Sequence, residues 1–470
     1  MNKTSPILSA AEVDYLKCVF NRHIKLHYTN RAVEAFCKAN IVWAKWSEIA
    51  NGASFEPGTI VIPLLDIDDV IPTFETNEVT FYGTTLTIWG RLPTPKSWAN
   101  HGDPNALWYS NGHGAYLASW DLAGIIFNLL TLEEERDDNC RDKHGRFIAE
   151  MSPRLPYELL SIPIFNNAVA AIVDLCLQIQ GINLSREEIV KPVKLCISHD
   201  LDQLRGDDFW TQLSRVGRML KPLAKFKAPD FFQLKYIVKN IRSPRKSFMD
   251  DLLGMLEVER ELGFRSSQYV LCGKKGRFGA RTSDAHIAKY LAEIPQGWDV
   301  GIHYNYDTHL DSGAFQSQMS TIESMIGKKV TCGRAHYLRM DPNSSFQFWD
   351  DMGVRYDESL GYPDHVGYRA GIAGPYKIFN RESQQQLSLT SVPLIAMDSC
   401  IGDKYGKFAV NELEEMISHL SVVGGTFTLL FHPGRFDNDE FPNTQNLYEE
   451  ILLMCKKYNV QSILPTEIES

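Results

Sequence analysis

From about residue 190 onward, short β-rich apolar runs alternate with amphipathic helical stretches, and this alternation constrains the fold more than any other feature of the chain. Strand-like runs occur at 193–198, 267–272, 299–304, 330–338, 354–360, 388–397 and 425–432, and helix-like stretches lie near 247–262, 284–294, 313–326, 410–420 and 445–457. Strands separated by helices imply parallel pairing with crossover connections. In sheets of that kind the chemistry collects beyond the carboxyl ends of the strands.

Four of these runs end in residues that can do chemistry. Val193-Lys194-Leu195-Cys196-Ile197 leads into Ser198-His199-Asp200-Leu201-Asp202. Two carboxylates this close repel each other unless a cation lies nearby, so one is suited to take a proton and the other to bind a metal. The later runs are Asp299-Val300-Gly301-Ile302-His303, followed by Asp307 and His309, then Gly333-Arg334-Ala335-His336-Tyr337, and Thr426 to Phe431 ending in His432-Pro433. Asp-x-Asp alone is also a common turn or helix cap. The ordered series carries the signal.

In that order the four segments resemble the polysaccharide deacetylase superfamily (NodB-homology, carbohydrate esterase 4-like) over roughly residues 190–470. The segments Arg355 to Tyr362, Gly367 to Gly371 and Val392 to Asp398 look like an uncharacterised bacterial subgroup of it that carries an additional N-terminal domain. The resemblance implies a distorted, incomplete (β/α) barrel at 189–470, preceded by a smaller α+β accessory domain at 1–188. It also implies a metal-dependent hydrolase that removes N-acetyl groups from an N-acetylhexosamine-containing glycan, or from a lipid-linked intermediate of surface-polysaccharide assembly. Matched onto the motifs, Asp200 would be the general base, Asp202 a metal ligand and Arg334 the group that orients Asp200. The Tyr337 N–H would stabilise the oxyanion, and His432, oriented by Asp398 or by Asp357, would be the acid.

The second and third ligands depart from the usual His-x-x-x-His spacing. His303 would pair with His309, Asp307 or His336; His309 is preferred because imidazole is a good zinc ligand and a third carboxylate would make the site more anionic. The set suits zinc and tolerates cobalt, nickel or manganese. His336, Tyr304, Asp357 and Arg369 stand as substrate-facing candidates, and Trp210, Trp349, Tyr306 and Tyr368 as further aromatics able to stack on sugars, although aromatic residues more often simply pack. Two other readings stay open: a catalytically silent glycan-binding protein and a hydrolase of non-sugar amides.

The formal charge of −10 leaves no excess of cations for phosphate and argues against nucleic acid as a partner. None of the nine cysteines forms a Cys-x-x-Cys pair, which suggests free thiols in a reducing compartment. The beginning of the chain shows no secretory core and no run reaches the roughly 18 apolar residues of a membrane span, so a cytoplasmic location is expected. An insertion at 203–246 holds eleven Lys or Arg against Asp207, Asp208 and Asp230. It reads as an amphipathic helix with a solvated basic face, or as a peripheral membrane contact. The acidic run from Glu133 to Asp138 reads as a solvated helix end.

Overall fold

The computed structural model describes residues 7–66, the strands at 73–81 and 84–91, residues 107–136, 141–202, 248–401, 410–435 and 444–468, and isolated positions near 92–98 and 216–223. Apart from those few positions, the basic insertion at 203–246 with Trp210, and Cys140, lie outside the described residues.

The chain begins with α1 (Ala10–His27) and α2 (Asn30–Lys38). Helix α1 is started by a capping box: the Glu12 N–H donates to Ser9 Oγ at 3.3 Å and the Ser9 N–H donates to the Glu12 carboxylate at 2.8 Å. Strands β1 (Asn40–Lys45) and β2 (Thr59–Leu64) flank the short α3 (Trp46–Ala50), and a hairpin of β3 (Thr73–Phe81) and β4 (Thr84–Arg91) follows. Next come β5 (Trp108–Ser110), β6 (Tyr116–Ala118), α4 (Leu122–Leu130), α5 (Ile164–Ile179) and the one-turn α6 (Arg186–Ile189). Strands β1, β2, β6 and β5 form a small mixed sheet in that order.

The remaining elements are β7 (Lys194–Leu201), α7 (Phe248–Leu262), β8 (Ser266–Val270), α8 (Asp284–Leu291), β9 (Asp299–Tyr304), α9 (Ser312–Ile326) and β10 (Cys332–Ala335). They continue with α10 (Ser345–Asp351), β11 (Tyr356–Asp357), β12 (Tyr376–Asn380), β13 (Gln385–Ser391), β14 (Ala396–Met397), α11 (Val410–Val423), β15 (Thr426–Leu430), α12 (Thr444–Lys457) and β16 (Gln461–Ser462). Among the described residues they make one sheet in the order β12-β13-β11-β10-β9-β8-β7-β15-β14, with β16 added beside β7. All pairs are parallel except β12 with β13. The path ends without β14 meeting β12, so the barrel is incomplete. Strand β9 is buried at every position, as expected where a parallel sheet is covered on both faces.

Two glycines permit the closest strand contacts. A Cβ on Gly333 would lie 2.4 Å from the Tyr304 ring and 2.7 Å from the Ile302 carbonyl; one on Gly301 would lie 2.5 Å from the Cys332 carbonyl. Both seat β9 against β10, the pair that carries His303 and Arg334 in register.

The elements before β7 share their core with the barrel. Tyr15 packs on Phe379 at a centroid distance of 4.8 Å, and Phe127 on the same ring at 5.8 Å. The acidic run expected to be solvated supplies part of this joint instead. Glu135 has no exposed surface and pairs with Arg369, while Glu134 pairs with Arg154 at 2.6 Å. Arg154 also donates to the carbonyls of Tyr368 and Arg369 at 3.0 and 2.7 Å. Arg369, expected to face substrate, is therefore a buried structural cation that needs Glu135 as its counter-charge. Tyr368 and Trp349 are likewise fully enclosed.

Candidate active site

The expected chemistry-bearing residues converge because the strands that carry them are parallel and adjacent. Asp200 and Asp202 stand at the end of β7, His303 near the end of β9, Arg334 in β10 with His336 just beyond it, Asp398 just after β14 and His432 just after β15. The register sets Arg334 directly beside His303.

Arg334 is fully buried and organises one side of the site. It donates to Asp200 Oδ1 at 2.8 Å, to Ser198 Oγ at 2.7 Å, to the Glu358 carbonyl at 3.0 Å and to Glu358 Oε2 at 3.2 Å, with its guanidinium 4.9 Å from the Tyr269 ring centroid. Burial alone would raise the Asp200 pKa, but the charges of Arg334, His303 and His432 outweigh it and hold the carboxyl below its usual range. Asp200 is thus an oriented, ionised carboxylate. Its second oxygen lies 3.7 Å from His303 Nε2 and 3.9 Å from His432 Nε2.

His432 is held by Asp398 through two bonds. The His432 backbone N–H donates to Asp398 Oδ2 at 2.7 Å, and the ring Nδ1 lies 3.0 Å from Oδ1. Burial disfavours the charged imidazolium, yet the Asp398 charge and hydrogen bond, with Asp200 behind them, push the pKa up to about 9. The ring is a proton donor aimed at Asp200.

On the other side, ligand atoms of Asp202, His303 and His336 all lie within 4.8 Å of one another. His303 Nε2 is 3.1 Å and His336 Nε2 3.5 Å from Asp202 Oδ1. His303 Nδ1 lies 2.9 Å from the Arg334 carbonyl, which can only accept, so Nδ1 carries a proton; burial disfavours a second one, but the Asp200 and Asp202 carboxylates favour it on Nε2, where a bound cation would displace it. Both His303 Nε2 and Asp202 Oδ1 are buried atoms without a hydrogen-bond partner. Buried orphans of this kind are costly unless something else binds them, and a divalent cation would satisfy both. The mixed N/O donor set fits zinc and related ions.

His309 is not part of this group. Its Nδ1 lies 3.1 Å from the Tyr306 carbonyl, within the turn that follows β9, and the third position is taken by His336 from the neighbouring strand end. Asp307 is exposed and also outside the group.

Two further candidates point away from the site. Tyr304 follows His303 on the strand and so faces the opposite side, where it packs against Trp349 and Phe315 at 4.7 and 5.1 Å and donates to Asp357 Oδ2 at 2.9 Å. Asp357 also accepts from Ser359 Oγ at 2.7 Å; it is buried structure rather than a substrate contact or the partner of His432. Its neighbour Glu358, overlooked in the sequence, reaches Arg334. His199 is a satisfied core histidine between the Phe431 carbonyl and Glu259, at 2.8 and 2.7 Å.

Tyr337 lies at the mouth, 37% exposed, with its backbone and that of Leu338 in the left-handed region at φ 64° and 53°. Its carbonyl accepts from Arg146 Nη1 at 3.2 Å, a contact from the region before the barrel that sequence reading did not anticipate.

No family model matches the chain, and no curated protein matches it in sequence. Among solved structures it is similar to a putative polysaccharide deacetylase from Mycobacterium smegmatis, with 13% identity, a TM-score of 0.36, and coverage of 58% of this chain and 87% of that one. A probable polysaccharide deacetylase from Pseudomonas aeruginosa PAO1 gives 11% identity, a TM-score of 0.37, and coverage of 59% and 88%. A putative polysaccharide deacetylase involved in O-antigen biosynthesis from Bordetella bronchiseptica gives 11%, 0.28, and 56% and 82%. These likenesses are to polysaccharide deacetylases, and they are likenesses of fold.

Proposed function

We propose that the chain is a metal-dependent hydrolase that removes the N-acetyl group from an N-acetylhexosamine-containing glycan or lipid-linked glycan intermediate in surface-polysaccharide assembly. The observation that carries this reading is Asp200, ionised by Arg334 and lying between a three-residue N/O ligand set on one side and the Asp398–His432 pair on the other. Amide hydrolysis needs a base, an acid and stabilisation of a developing oxyanion, and each has a distinct residue here.

Asp202, His303 and His336 would hold the cation, most simply zinc, with cobalt, nickel or manganese as alternatives. When bound it would polarise the carbonyl and acidify water. Asp200 takes the proton of the attacking water, and Arg334 keeps that carboxylate aimed and charged. His432 passes its proton to the departing nitrogen, with Asp398 fixing the ring. The Tyr337 N–H is the donor assigned to the oxyanion.

The eight described cysteines are all free thiols, in keeping with a reducing compartment such as the cytoplasm, where an intermediate would be met before export. Among the described residues no helix is long and apolar enough to cross a membrane. The basic insertion at 203–246 would supply peripheral contact with a membrane that carries the lipid-linked substrate.

Purified protein loaded with zinc or cobalt is expected to release acetate from N-acetylhexosamine oligosaccharides and to hold about one metal ion per chain. Asp200→Asn and His432→Ala are expected to abolish release. Undiminished release in both variants would overturn the residue assignment.

A further inference from the structure

Beside the ligand set stands a second cluster, of rings, from which the hydrolytic chemistry uses only the Tyr337 backbone N–H. The Tyr337 ring is 4.8 Å from that of His336, and beyond it lie His144 at 5.2 Å, Phe278 at 5.0 Å and Tyr306 at 5.5 Å. His144 comes from the region before the barrel, Phe278 from the loop after β8, Tyr306 from the turn after β9 and Tyr337 from the turn after β10. Four segments distant in sequence thus bring aromatic rings to one place.

Simple packing explains these rings poorly. The aromatics that serve the core, such as Tyr304 and Trp349, are completely enclosed, whereas Tyr337 is exposed and His144, Phe278 and Tyr306 are half-buried. Two consecutive non-glycine residues, Tyr337 and Leu338, hold left-handed backbone conformations, which carry strain that tends to concentrate at functional positions. Polar groups are interleaved with the rings: His144 Nδ1 is 3.1 Å from the Tyr306 hydroxyl, and the guanidinium groups of Arg339 and Arg277 lie 4.6 and 5.3 Å from the centroids of Tyr306 and Phe278. A half-exposed surface of rings with guanidinium planes over two of them and a hydroxyl–imidazole pair at the rim offers both apolar contact and hydrogen-bonding groups, and so matches a pyranose, which has apolar C–H faces and a rim of hydroxyls.

We infer that His144, Phe278, Tyr306 and Tyr337 form a subsite for a second sugar ring, adjoining the residue that presents its acetamido group to Asp200, and that the region before the barrel contributes to it through His144. The inference rests on the glycan-hydrolase reading for its choice of ligand. Energy gained from a ring remote from the reacting bond improves orientation at the centre, so the preferred substrate is an oligosaccharide rather than a free sugar.

The test is calorimetric titration of the zinc-loaded Asp200→Asn chain with N-acetylglucosamine and with its β-1,4-linked disaccharide and trisaccharide. Affinity is expected to rise about tenfold from one ring to two. His144→Ala and Phe278→Ala in the same background should each shrink that gain below about threefold, while Lys143→Ala, an exposed neighbour, should keep it. Circular dichroism and bound-metal content check that the variants remain folded. Absence of binding by any of the sugars, no gain from the second ring, or a gain that survives both substitutions would overturn the subsite. Acetate release by the unsubstituted chain is read separately: a second-ring gain without release refutes the hydrolase and supports the subsite, whereas release with no gain refutes the subsite alone.

Discussion

Replacing Asp398 with Asn tests the assignment of His432 as the acid through its pH dependence. The native pKa of about 9 stands above the ordinary value of 6.5 despite burial, and Asp398 is the largest of the influences that raise it. With the charge removed, burial is opposed only by the weaker pull of Asp200 and Asp202, so the pKa falls, and the ordinary value of about 6.5 serves as the working reference. At pH 8 the protonated fraction would fall from about nine-tenths to about three-hundredths, a loss of roughly 30-fold in kcat/KM from protonation alone. At pH 6 both forms are mostly protonated, so the difference should narrow to about twofold or less if orientation is kept. Asn complicates orientation in one defined way. If its oxygen keeps the His432 backbone N–H, its NH2 faces ring Nδ1 and favours the opposite tautomer. That effect adds a pH-independent loss, which a full profile separates from the shift of the alkaline limb. A cation held by Asp202, His303 and His336 would move the limbs of both proteins downward together, so the separation between them is the quantity to read. Profiles of kcat/KM from pH 5 to about 10 are needed. A variant whose alkaline limb coincides with the native one, whatever its rate, would refute the assignment of His432 as the acid tuned by Asp398.

Elemental analysis after dialysis against a chelator should show His336→Ala losing metal by an order of magnitude or more in affinity, while His309→Ala retains it. The reverse result would restore the wider loop as the ligand source. His23 and His27 are buried and uncharged: burial lowers His23 to about 3, and burial, helped by the charges of Lys191 and Lys194, lowers His27 well below 6.5. The unfolded chain therefore binds more protons below pH 6.5, so the stability they contribute is complete above that value and is lost as pH falls towards their folded pKa values. His23 alone should cost about 2 kcal/mol by pH 5, and denaturant titrations at pH 7.5 and 5 should show a smaller acid loss in His23→Gln than in the native chain. Equal losses would exclude His23 as a source. Glu135→Ala leaves the Arg369 guanidinium buried without its counter-charge and should destabilise the fold by about 3–5 kcal/mol, read as a fall in Tm. An unchanged Tm would mean that solvent reaches Arg369.

The order of strands and helices from 190 onward was legible because each buried strand reads as an apolar run and each covering helix as a periodic one. Which residues face the site was not. In an antiparallel sheet with one wet face, alternation separates inward from outward positions; β9 is buried on both sides, so His303 and Tyr304 look alike in the sequence although they point in opposite directions. The same ambiguity at the end of β11 made Asp357 the candidate and hid Glu358, because consecutive strand residues project to opposite faces and only one of the pair can reach Arg334. His336 fills the third ligand position through register: Arg334 sits opposite His303, which carries the residue two places later to the ligand side. The sequence offered His336 as one of three partners for His303, but spacing along the chain could not choose a residue from the next strand over His309 in the same segment.

Buried charge accounts for the dependence of the barrel on the residues before it. A guanidinium sealed in a core is stable only while its carboxylate is present, and the partners of Arg154 and Arg369, Glu134 and Glu135, lie on the segment that follows α4. The next described stretch is the turn that carries His144 and Arg146 to Tyr337. The buried ion pairs therefore anchor one end of the chain segment whose other end borders the site. An arrangement in which these residues served only as a separate accessory unit would place no such demand on Glu135. The burial of that charge, together with a hydrophobic core shared by Tyr15, Phe127 and Phe379, makes the shape of the mouth depend on the folding of the preceding region.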